Sequence, residues 1–111
     1  MSAGTLNDGL ARIRARFDAL MHERLHALDH AAAQCPDPDQ RAAALGEAHA
    51  ILHTIAGTAG SLGLPELGDR AGQSEIRVRS CLRGGGSDWP AAVAAICDFV
   101  ALARPILQDR R

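Results

Sequence analysis

The apolar side chains of this chain keep one spacing almost from end to end, and that spacing is helical. Leu6, Leu10, Ile13, Phe17, Leu20, Met21, Leu25 and Leu28 recur mostly at three- or four-residue intervals, which lines one side of an α-helix. A long first helix is predicted over residues 6–34. The run "CPDPDQ" (35–40) then breaks it, since prolines among aspartates make a turn and signal a helix start. A second helix is predicted over 39–62, with Gly63 as its C-cap. A third starts at once, with Pro65 in its first turn and Glu66 near the positive end of the helix dipole. It carries Leu64, Leu67, Ala71, Val78 and Leu82 along one side and stops at the glycines 84–86. Asp88 reads as the N-cap of a fourth helix, with Pro90 in its first turn. The inner stripe of that helix is Trp89, Val93, Ile96, Val100, Ala103 and Leu107, and Pro105 is expected to kink or fray its last turn. Helices of this length joined by short loops predict an all-α protein, an antiparallel up-down four-helix bundle, with 1–111 as a single domain.

Composition narrows the function classes. The 111 residues suffice for one core. A formal charge of −1 gives no general electrostatic pull toward nucleic acid or an anionic membrane. Cys35, Cys81 and Cys97 are odd in number and lack CxxC spacing, so they read as free thiols of a reducing compartment. The first residues, "MSAGTLNDGLARIR", lack the apolar stretch of a signal peptide, and no apolar run approaches membrane-spanning length. The expectation is a cytoplasmic protein that binds neither nucleic acid nor membrane. Every basic residue is Arg; the chain has no Lys.

The second helix has two unlike faces. At about 100° per residue, Leu45, Ala48, Leu52, Ile55, Ala59 and Leu62 cluster on the side that must be buried. His53 points away from them, among Gly46, His49, Ala50, Gly57 and Gly60, with Ala42 extending the patch. An exposed helix face ordinarily carries Glu, Lys, Gln or Arg, and each interior Gly costs about 0.5–1 kcal/mol relative to Ala. Two readings fit such a bare face. Either another helix packs closely on it, or a partner must reach the imidazole unobstructed.

The stretch "HTIAGTAGSLG" (53–63) resembles the signature of histidine-containing phosphotransfer (Hpt) domains, His-x-Leu-Lys-Gly followed by five residues and Gly. His53 matches the phosphorylatable histidine, Ile55 the Leu position, Gly57 the first Gly and Gly63 the second; "LPEL" after it is also similar to the family. The resemblance covers the whole chain in helix order, since the family's core is a four-helix bundle with its histidine exposed midway along the second bundle helix. It implies that His53 is the phosphoacceptor of a phosphorelay, taking and giving a phosphoryl group at aspartates of receiver domains. It implies response-regulator receivers or a hybrid histidine kinase as partners, and a monomer. It implies no cofactor of its own, because the receiver supplies Mg²⁺ and most catalytic groups. The chain is then no enzyme in its own right. Glu75 falls where the family often has a polar residue beside the histidine, and there it would accept a hydrogen bond from one ring nitrogen and fix the tautomer. The family's Lys, three residues after the histidine, is Ala56 here. The docking surface would centre on Gly46, Ala50, Gly57 and Gly60, with the facing stretch of the first helix completing its rim and with Phe17 and Met21 in the core.

Other readings stay open at this level. His22, His26 and His30 stand at four-residue spacing on the first helix, and His49 and His53 share that spacing, so a metal-binding bundle is one rival. A second is a degenerate module that docks on receivers without taking phosphate, favoured by Ala56. A dimerising phosphotransfer domain of a kinase fits less well, because such domains place an acidic residue after the histidine and Thr54 follows His53.

Overall fold

In the computed structural model, which describes residues 2–109 with side chains from residue 6 onward, the chain forms α1 (Ser2–Gln34), α2 (Arg41–Ala59), α3 (Pro65–Arg83) and α4 (Trp89–Gln108). No strand occurs among the described residues. Each helix packs on the next in chain order and α4 closes against α1, giving the antiparallel up-down bundle. Arg104 of α4 pairs with Asp29 of α1 at 2.6 Å across that closing seam.

Local chemistry sets the breaks. α2 tightens into a short 3-10 turn, Gly60–Leu62, and Gly63 follows at φ +80°, a left-handed conformation open to a residue without Cβ. The Gly63 N–H donates to the Gly60 carbonyl, which ends the helix as the sequence led us to expect. Pro65 opens α3 and Pro90 opens α4. Asp88 sits at the N-cap of α4, but its side chain makes no capping hydrogen bond. Pro105 does not end α4: the helix runs through it to Gln108, and the Asp109 N–H reaches the Pro105 carbonyl. Without an N–H, Pro105 leaves the carbonyl of Ala101, an exposed residue, without its helical donor.

The core is aliphatic, with Met21, Leu25 and Leu28 of α1, Leu45, Leu52 and Ile55 of α2, Leu67 and Val78 of α3, and Ile96, Phe99 and Leu107 of α4. Ala44, Ala48, Ala59, Ala71, Ala92 and Ala103 fill the places where helices approach closely. Phe17 and Met21 are buried as expected. Several stripe residues of α2, α3 and α4 are only half-buried against the core's edge (Leu62, Leu64, Leu82, Trp89 and Val93), because an inner stripe shades into a flank. Conversely Phe99, absent from the predicted stripe of α4, lies deep in the core. α4 is the one described helix long and apolar enough to cross a membrane, and its inner side is built into this core. Cys35 and Cys81 are free and buried, and burial pushes both thiols up; Cys97 is free and exposed.

The largest departure concerns α1. It begins at Ser2 and has 33 residues against 19 or 20 in the other three. At 1.5 Å per residue it is about 50 Å long, against about 30 Å for its neighbours. Its N-terminal turns therefore project past the bundle, and the long dimension of the molecule is 57 Å. Leu6, Leu10 and Ile13, expected on the inner face, are 64, 44 and 53% exposed, because no helix is long enough to cover them.

Candidate functional site

α2 presents its two histidines on one side, one turn apart, with their rings nearly parallel (15°) and 6.3 Å between centroids. They differ in accessibility. The His53 side chain is 73% exposed; that of His49 is 30% exposed, and its Nε2 has no contact with solvent.

Across from them, α3 supplies Glu75, the one charged residue buried among the described residues. A carboxylate in such a place needs donors, and both come from α2. His53 Nδ1 lies 2.8 Å from Glu75 Oε2, a hydrogen bond that puts the proton on Nδ1 and leaves the Nε2 lone pair facing outward. His49 Nε2 lies 3.2 Å from the same oxygen. That distance is an ion-pair contact, yet the nitrogen is buried without a well-directed hydrogen bond. The distance and the direction disagree; we read the approach as close but off-line.

Glycines set the spacing of α2 and α3. A Cβ on Gly68 of α3 would stand 3.4 Å from the Gly60 nitrogen and 3.5 Å from the Ala56 carbonyl oxygen, both backbone atoms of the second-helix segment. One on Gly72 would meet the Ala56 Cβ at 4.0 Å. The close helix contact therefore lies at Gly68, a position the sequence reading passed over. Gly46, Gly57 and Gly60 are different: a Cβ at any of them would meet nothing within 4 Å. No helix covers that face. Ala50, Gly57 and Gly60 are exposed around His53, while Gly46 and Ala56 are half-buried. Thr54 and Thr58 turn their hydroxyls back onto the carbonyls of Ala50 and Thr54, which spends their polarity on the helix itself. Beside the imidazole, α3 contributes Glu75 and, against Ala56, Gly72.

The surroundings contain little else that reacts. Among the described residues no three His, Cys, Asp or Glu side chains are arranged to hold a metal ion. His22, His26 and His30 lie exposed along α1. The arginine of α2, Arg41, is committed at the far end, donating to the Cys35 and Pro36 carbonyls and standing 5.0 Å over the Trp89 ring. The cavity beside it, about 220 Å³ and lined by Pro38, Arg41 and Leu82, is remote from His53.

What this arrangement offers is one exposed imidazole with its inner nitrogen protonated and its outer nitrogen unobstructed. The family model described as Hpt domain matches residues 12–105 of the 111. No curated protein and no solved structure matches the chain significantly.

Proposed function

We propose, from the premise that the chain belongs to the Hpt domain family, that it is a phosphorelay intermediate carrying a phosphoryl group on Nε2 of His53. Hpt domains serve phosphotransfer in two-component signalling, as intermediates rather than enzymes of the usual kind. The observation that carries the reading is the pairing of an exposed His53 with a buried Glu75 at 2.8 Å, under a face where side chains stop at Cβ or sooner.

The step is simple in atoms. The Nε2 lone pair attacks the phosphorus of a receiver's phosphoaspartate. The P–O bond to the aspartate breaks, and its electron pair stays on the released carboxylate. The Nδ1 proton never moves; the imidazole becomes cationic, and the Glu75 carboxylate lies against that charge. The reverse step delivers the phosphoryl group to another receiver. Such transfers depend on positioning and on stabilising a loose, charge-spread transition state. The receiver brings the divalent cation. The carboxylate beside His53, Glu75, is already taken up by the two histidines. The partners are receiver domains of response regulators or of a hybrid histidine kinase, met by a cytoplasmic monomer through Gly46, Ala50, Gly57 and Gly60.

The test is incubation with a phosphorylated receiver, reading an acid-labile, base-stable phosphate on the chain. Wild type should gain it and His53→Ala should not; equal behaviour sinks the relay. Ala56, where the family has a cation, favours one second reading, a module that docks without taking phosphate. Receiver binding without phosphate on either protein is its signature.

A further inference from the structure

We propose that His49 is a positioning residue, sharing Glu75 with His53 and holding that carboxylate where it keeps the His53 proton on Nδ1. Its consequence for transfer rests on the relay reading; its structural part does not. The two imidazoles converge on one atom, Glu75 Oε2, from 2.8 Å (His53 Nδ1) and 3.2 Å (His49 Nε2). Glu75 is 9% exposed, and His49 Nε2 is shut off from solvent.

The proton on His49 follows from this. Were Nε2 unprotonated, its lone pair would face a carboxylate oxygen at 3.2 Å with no water to intervene. The contact is attractive only with hydrogen on Nε2, so the tautomer of His49 is fixed as the opposite of that of His53. Two N–H groups then aim at one oxygen. The one from His53 is well directed, and the one from His49 arrives off-line. A carboxylate held from two sides has less freedom to turn away from either. With His49 gone, Glu75 keeps one donor on a highly exposed side chain, and either oxygen can serve it or rotate toward water. His53 then spends more time with its proton on Nε2, the nitrogen that must attack. The burial of His49 Nε2 also sets the two histidines apart in role: that nitrogen is closed to a docking receiver, whereas His53 is open.

The comparison is between His49→Leu, which keeps bulk and loses the donor, and His49→Gln, whose amide N–H replaces it. In ¹⁵N-labelled protein at mildly alkaline pH, His53 of the wild type should show hydrogen on Nδ1. His49→Leu should raise the Nε2–H fraction and slow phosphoryl acceptance from a phosphorylated receiver by about two- to threefold, the low end for one lost hydrogen bond because the His49 N–H is off-line. His49→Gln should restore both. A wild-type tautomer and rate in His49→Leu overturn the proposal and leave the relay standing. A shifted tautomer in a chain that takes no phosphate upholds the positioning and overturns the relay. Thermal unfolding is followed in parallel; should Leu at this position prevent folding, His49→Ala carries the same comparison.

Discussion

Ala56 leaves the neighbourhood of His53 without a cation on α2, since Arg41 is engaged about 18 Å away along the helix. A phosphoryl group on Nε2 would then have no cation of α2 beside it, and Glu75 on the far side of the ring adds negative charge. Ala56→Lys restores the family's pattern. A charge about 6 Å from the phosphoryl group in water-like surroundings is worth about 0.7 kcal/mol, or roughly threefold. Ala56→Lys should therefore raise phosphoryl acceptance about threefold, measured as the initial rate from a phosphorylated receiver. An unchanged rate would mean that a cation at this position is not missed. Reading the residues alone went far here: the helical period set His53 outward, and the resemblance pointed to Glu75. What it could not give was the shared oxygen, because whether two imidazoles meet one carboxylate depends on the register of α3 against α2, and no period within one helix encodes that.

Among the elements, α2 and α3 use glycine for opposite purposes. On the outer face of α2 a Cβ at Gly57 meets nothing, so the glycine weakens the helix without any packing return. Gly57→Ala should stabilise the domain by about 0.5–1 kcal/mol. On α3, a Cβ at Gly68 would stand in van der Waals contact with the Gly60 nitrogen, the Ala56 carbonyl oxygen and the Ala59 Cβ, at 3.4–3.6 Å, with little room to spare. Gly68→Ala should gain less than Gly57→Ala, ending within about 0.5 kcal/mol of wild type, because the snug fit offsets the helix preference for Ala. Thermal melts should rank Gly57→Ala above Gly68→Ala by a few degrees; the reverse order would refute this division. From sequence both looked alike, small residues on a helix. The bare patch on α2 had two readings, close packing or open approach, and the structure settles it as open. Phe99 shows the same limit from the other side, since a core wider than the predicted stripe of α4 takes in the residue beside it.

At the scale of the whole molecule, α1 outruns its partners. Its repeat of Leu6, Leu10 and Ile13 is indistinguishable in sequence from that of Phe17 to Leu28, because a period reports helix and only a neighbour's length reports burial. The family match begins at residue 12, near where the overhang joins the bundle. Removing residues 1–12 should leave the unfolding free energy within about 0.5 kcal/mol of the full chain, measured by urea titration; a larger loss would show that the overhang does pack. The bundle itself has a tighter tolerance. At Gly68 the two backbones stand so near that even a Cβ would already be in van der Waals contact across the seam. Glu75 rides the same helix about 10.5 Å further on. Its 2.8 Å reach to His53 depends on that spacing, and a seam wider by about 1 Å would take the bond out of range.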